Sequence, residues 1–267
     1  MKKTLITLLA LAGVAAGAQN LTIGSSTTGN FDLLDGNNDN TECNISVTET
    51  ATISRIDGSS INNLTTITLK VADNATFTIN GYAKLPYNNT QKTYNTSITL
   101  GNNSSFVLTG VLYLGSRNSS YTGIVQNSAI TFGDGASITA QSIDTVASAG
   151  GTSTLTLTAN FASDDLLGLT GASLEGTRYE RTLITTTSGL ANYSTGNITL
   201  TAIDELDLLG YKNVGTITDA STLKVGEYGL LYADNKVKLV GMVIPEPTTA
   251  TLSLLALAGL AARRRRK

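Results

Sequence analysis

Two adjacent carboxylates, Asp164-Asp165, and the charged residues Glu175, Arg178, Glu180 and Arg181 are best equipped for acid–base chemistry in this chain. Paired carboxylates beside a cation can protonate a leaving group and activate water, which is how many polysaccharides are cleaved. Arg178 and Glu180 are two residues apart, so on a strand they share a face. The simpler account is a solvated turn followed by a surface ion pair, and that is the expectation. Gly133-Asp134-Gly135 offers one carboxylate to calcium but lacks the repeated aspartates of a calcium-binding solenoid, so a tight turn is expected there. The one cysteine, Cys43, can form no intramolecular disulfide, and no histidine exists to activate it. It reads as a small buried residue or as a free thiol in a terminal coil. The absence of histidine also removes the Ser-His-Asp triad and the usual transition-metal sites. No catalytic residue, metal or cofactor is therefore expected.

The elements that would hold these residues are strands. Between Gln19 and Ile244 the chain is rich in Thr, Ser, Asn and Gly, and apolar residues alternate in short runs bounded by Asn, Asp and Gly. Thr66–Val71, Ser153–Thr158 and Asn197–Thr201 are examples, and no long helix is expected in the body. The runs repeat. Ile67-Thr68-Leu69, Ile98-Thr99-Leu100 and Ile130-Thr131-Phe132 each lead through a polar turn into a second strand, at Thr76–Ile79, Ser105–Leu108 and Ala136–Thr139. Third strands are placed at Tyr82–Leu85, Val111–Leu114 and Gln141–Ile143, with Pro86–Ser97 and Ser116–Ser128 as projecting loops. An earlier copy runs from Ile45-Ser46-Val47 to Thr52-Ile53-Ser54.

Three strands per repeat is the pattern of a right-handed parallel β-helix, an all-β solenoid, over residues 19–160. A β-sandwich is the alternative. From 161 to 243 the pattern changes: Tyr179–Thr186 is a strong strand, and Tyr228–Tyr232 and Lys236–Val243 flank Ala233-Asp234-Asn235, a hairpin signal. This stretch, with its Tyr-x-x-x-Leu-Ile strand, resembles the last rungs and cap of autotransporter passenger β-helices.

Both ends read as addresses. Met1-Lys2-Lys3 is a basic start, Leu5–Ala16 is apolar, and Ala16-Gly17-Ala18 is a small-residue cleavage site, so a secretory signal spans 1–18 and the mature chain begins at Gln19. At the other end, Pro245-Glu246-Pro247 is stiff because each proline fixes its own backbone. Uncharged Thr248–Ala262 follows, 15 residues long and short of the roughly 20 of an ideal transmembrane helix. Arg263, Arg264, Arg265, Arg266 and Lys267 then close the chain, as cations that the positive-inside rule would hold at the cytoplasmic face.

The order of triplet, short apolar helix and basic end resembles the PEP-CTERM sorting signal of Gram-negative bacteria over residues 244–267. The resemblance implies that Pro245, Glu246 and Pro247 are recognised by an exosortase, a membrane protease that processes such tails. The other implied partners are signal peptidase and the general secretion machinery, the inner membrane transiently, and an envelope polysaccharide.

Charge sharpens this. Setting aside the cations of the two address segments and Glu246, the body keeps 11 basic and 19 acidic residues, a net charge of −8. Such a body is poorly suited to phosphate backbones, so nucleic acid is not an expected partner. The leading expectation is an exported, non-catalytic envelope or extracellular-matrix protein serving in structure or adhesion. The alternatives are a polysaccharide-active β-helix enzyme using Asp164 or Asp165, and a carbohydrate- or ice-binding module using Thr-x-Thr pairs such as Thr66/Thr68, Thr76/Thr78 and Thr154/Thr156/Thr158.

Overall fold

Alternating side chains build strands, and these strands stack on one another in parallel. The computed structural model describes residues 18–32, 41–58, 64–85, 93–114, 124–144, 152–159, 178–191, 198–202 and 211–242. β1 (Ala18–Ile23) and β2 (Asn30–Asp32) begin the fold. Four three-strand turns follow: β3 (Glu42–Val47), β4 (Ala51–Ile53) and β5 (Arg55–Asp57); β6 (Thr66–Val71), β7 (Thr76–Ile79) and β8 (Ala83–Lys84); β9 (Thr93–Leu100), β10 (Ser105–Leu108) and β11 (Val111–Tyr113); β12 (Val125–Phe132), β13 (Ser137–Ala140) and β14 (Ser142–Asp144). β15 (Thr152–Ala159), β16 (Arg178–Thr186), β17 (Leu190–Ala191) and β18 (Ile198–Ala202) continue the winding. The chain is thus an all-β solenoid with three walls. Sheet I is β1-β3-β6-β9-β12-β15-β18, sheet II contains β4-β7-β10-β13-β16, and sheet III is β2-β5-β8-β11-β14-β17.

Each wall turns its alternate residues inward, and the register puts like on like. In sheet I the column Leu21, Ile45, Leu69, Ile98, Ile130, Leu157 runs through the interior. In sheet II Phe77 lies in register with Phe106, their rings stacked at 5.4 Å and 7°. No single turn could remove these side chains from water; the neighbouring turns do it, at about 1.5–3 kcal/mol for each large apolar side chain fully buried. Cys43 occupies an inward slot of β3 and is 1% exposed, with burial pushing its thiol up to about 12. It is the small buried residue of the two readings. The thiol is expected to resist alkylation at mildly alkaline pH while the protein is folded and to react fully in guanidinium, as mass spectrometry of the labelled chain would show.

The corner between sheets I and II is a ladder of Asx residues. Asn102 N donates to Asp73 Oδ1 at 2.7 Å, and Asp134 N donates to Asn102 Oδ1 at 2.9 Å. These bonds satisfy turn amides that the sheets leave unpaired. The backbones approach so closely that a Cβ on Gly133 would stand 2.7 Å from Asn102 N, which is why glycine is needed there.

The repeat identified from sequence needs one correction. Leu69, not Ile67, lies in register with Ile98 and, through it, with Ile130. Equivalent turn residues are therefore separated by 29 and then 32 positions. A slip of two residues leaves the same side chains facing inward, so alternation cannot detect it. The supposed loops are also shorter than expected, because β9 starts at Thr93 and β12 at Val125. After the buried Tyr94, the early inward residues are polar: Gln126 Nε2 donates to Thr96 Oγ1 at 3.4 Å and to Ser128 Oγ at 3.3 Å, and Thr96 Oγ1 donates to the Leu85 carbonyl at 2.7 Å.

The far end is closed over sheet II. β19 (Lys212–Ile217), β20 (Glu227–Ala233) and β21 (Lys236–Met242) extend that sheet, and β21 runs antiparallel to both β16 and β20. The β20–β21 turn is the expected hairpin, with Asp234 and Asn235 at φ 51° and 58°, the left-handed pair that matches strand twist. The hairpin is buried on both faces. Tyr228, Leu230, Val237 and Leu239 join the main core, and Leu231 and Val240 form a second cluster with Ala220 and Leu223. Ala220 begins a short 3-10 turn to Thr222, capped by Asp219, whose carboxylate accepts from Ser221 N. Among the described residues no helix is long and apolar enough to cross a membrane.

Candidate binding face

The outer face of sheet I is a lattice of mostly neutral hydrogen-bonding side chains. Alternation that sends Ile and Leu inward sends Thr, Ser and Asn outward, and parallel stacking lines them up in rows. One row is Thr66, Asn95, Asn127, Thr154; the next is Thr68, Ser97, Ala129, Thr156; a third is Lys70, Thr99, Thr131, Thr158. The first row is wired together. Thr154 Oγ1 lies 3.3 Å from Asn127 Oδ1, and Asn127 Nδ2 donates to Asn95 Oδ1 at 3.1 Å. A similar bond joins Asn44 Nδ2 to Asn20 Oδ1 at 3.1 Å nearer the start of the sheet. Across β6, β9, β12 and β15 the rows enclose a shallow groove of about 320 Å³, lined by Thr66, Asn95, Ser97, Asn127, Ala129, Thr154 and Thr156 together with Thr96 and Ser128. Among the described residues its lining carries no charged side chain.

The Thr-x-Thr pairs divide between two walls. Thr66 and Thr68, and Thr154, Thr156 and Thr158, belong to sheet I, whereas Thr76 and Thr78 belong to sheet II. In register, Thr154 meets Asn127 and Thr156 meets Ala129, while Thr158 meets Thr131. The face is thus a mixed amide and hydroxyl surface rather than a uniform threonine array.

Of the residues singled out for acid–base chemistry, Arg178, Glu180 and Arg181 lie among the described residues. Asp164, Asp165 and Glu175 lie outside the described residues. Glu180 is the centre of an ion-pair group: Arg178 Nη2 is 2.8 Å from Oε1, and Lys238 Nζ is 2.8 Å from Oε2. The hydrogen bond from Lys238, joined by the charges of Lys238 and Arg178, holds the Glu180 carboxyl below the usual glutamate range. Because the folded value is depressed, the pair contributes stability above the ordinary glutamate pKa and loses it as pH falls through the folded value. The difference in melting temperature between the native protein and Glu180→Gln should therefore be present at neutral pH and vanish on acidification, as scanning calorimetry across pH would read.

The Arg178–Glu180 contact is the ion pair expected from their spacing. Arg181, which sequence reasoning did not place, is 7% exposed and points inward from β16. Its guanidinium donates to the Gly133 carbonyl and, at 3.2 Å, to the Ala136 carbonyl. Gly133-Asp134-Gly135 is indeed a turn, between β12 and β13, and a cation of the protein itself already occupies its carbonyl side. Among the described residues no group of three His, Cys, Asp or Glu side chains could hold a metal ion.

Sequence reasoning missed one polar cluster on the outside of sheet III. Asp57 Oδ2 accepts from Tyr82 OH at 2.7 Å and from Lys84 Nζ at 3.3 Å, with the Lys84 ammonium 4.8 Å from the Tyr82 ring centre. Asp57 and Lys84 are in register on β5 and β8, which only the winding of the chain reveals. The groups satisfy one another, as a structural tie between turns does. Of the address residues, Ala18 and Gln19 lie in β1, with Gln19 stacked in register on Cys43. Ala16, Pro245, Glu246, Pro247 and Arg263 to Lys267 lie outside the described residues.

No family model matches the chain, and no curated protein or solved structure matches it at a significant level. The solenoid and its lattice face therefore have to support a functional reading through their own chemistry.

Proposed function

We propose that the chain is an exported, non-catalytic protein of the cell envelope or extracellular matrix, sorted by a PEP-CTERM tail and serving in surface structure or adhesion. The observation that carries the reading is the order of parts: a secretory signal over Met1–Ala18, an acidic body, then Pro245-Glu246-Pro247, an uncharged stretch and five terminal cations. Export begins at the first part, and the last arrests the chain in the inner membrane with the body on the far side. An exosortase then acts at or near the triplet, so the inner membrane holds the protein only transiently.

A solenoid suits this role. Its stability adds up turn by turn, and its walls present long regular faces to the surroundings. The crossovers between parallel strands favour a right-handed winding. The groove on sheet I offers hydrogen-bonding side chains without a carboxylate or cation among its described lining residues, which supports binding rather than bond cleavage.

Replacing Arg263–Lys267 with neutral residues tests the sorting reading. Loss of retention in the inner-membrane fraction, or a change in the mass of the mature protein, is expected. Unchanged fractionation together with unchanged mature mass would count against it. Reproducible turnover of a glycan by the purified mature protein would overturn the non-catalytic part.

A further inference from the structure

We propose that the groove across β6, β9, β12 and β15 binds a neutral, hydroxyl-rich glycan laid across the strands. The inference rests on the surface-adhesion reading and names the ligand class of its most regular face. Three observations carry it. First, the described lining pairs neutral amides and hydroxyls with no ion among them, which matches sugar hydroxyls that both donate and accept. An anionic glycan would find no cation among the described lining residues, and it would meet a body of net charge −8.

Second, the polar groups are already oriented. The contacts from Thr154 to Asn127 and from Asn127 to Asn95 fix both amide planes, so a ligand need not order them. Asn95 Nδ2 stands at the end of this row, where the described residues supply it no acceptor.

Third, the size and shape fit a chain rather than a compact molecule. Four strands at a spacing of about 4.8 Å give a track of roughly 14 Å. Ala129 is the smallest side chain in the row Ser97, Ala129, Thr156, and it leaves a depression with a methyl group at its base. A sugar ring can set its C–H face there while its hydroxyls reach the flanking amides.

The test is isothermal titration calorimetry on the purified mature protein. The probes are neutral tetrasaccharides (cello-, malto- and manno-), with a galacturonate oligomer as the charged control. Ala129→Phe fills the exposed depression, and Asn127→Ala breaks the amide row. Saturable heat with at least one neutral tetrasaccharide is expected, with none from the uronate. Each variant should weaken affinity by about tenfold or more while its melting temperature stays at that of the native protein. Four outcomes would overturn the inference: no heat with any neutral probe, preference for the uronate, affinity unchanged in Ala129→Phe, or thermal hysteresis from the face in place of glycan binding. The assay uses purified protein and does not depend on export, so its failure and a failure of the sorting test can be told apart.

Discussion

Replacing Arg181 with alanine is expected to lower the stability of the protein by roughly 3 kcal/mol. The side chain leaves β16 for the interior and donates to the carbonyls of Gly133 and Ala136, at either end of the β12–β13 turn. Alanine would remove the charged donor from both acceptors, although the Gly133 carbonyl keeps the Ala136 N–H, and would leave a void that the long side chain had filled, so lost charge-assisted hydrogen bonds and lost packing add together. Arg181→Met restores much of the packing without the donors and should fall between the two. Guanidinium unfolding would read the ordering through the midpoint. Hydrogen exchange would show the loss of protection concentrated in β13 and β16, since a solenoid transmits damage mainly to neighbouring turns. Equal stability of the native protein and Arg181→Ala would mean that the turn does not need its cation.

Phe106→Ala should cost about 3–5 kcal/mol. The ring is fully buried and stacks on Phe77 one turn away, and Ile138 follows it in register on the next turn. Removing it opens a gap between turns that parallel backbones cannot close without breaking the Asx ladder at the adjacent corner. Phe106→Leu keeps most of the volume and should cost much less. A thermal melt of both variants beside the native protein reads the difference, and a shift no larger for alanine than for leucine would contradict the stacked core.

How much of this was legible beforehand depended on what each side chain reveals about its direction. Where the inward residues are large and apolar, as in Thr66–Val71 and at Leu155 and Leu157, alternation located the strands directly. The Asp234-Asn235 hairpin was visible because few residue pairs accept two left-handed conformations in succession. The exact pairing of turns was not visible, since a strand displaced by two residues keeps its pattern, and Ile67 looks as good a partner for Ile98 as Leu69 is.

The candidate face was hidden for a related reason. Thr96, Gln126 and Ser128 point inward, so the starts of β9 and β12 lack the apolar alternation of a strand and read as loop. Asn95 and Asn127, which lie in those same stretches, could not be placed in a row until the register was known. The inward placement of Arg181 was not read from sequence because charge suggests solvent, yet it lies two residues before inward Leu183 on the same strand. That spacing was the available signal. The proposed address segments rest on composition and order alone.

The most direct test of the central claim is the intact mass of the protein recovered from fractionated cells. Export and tail processing require a chain in the envelope or extracellular fraction that begins at Gln19 and ends at or near Pro245-Glu246-Pro247. A cytoplasmic chain that runs unchanged from Met1 to Lys267 would contradict it.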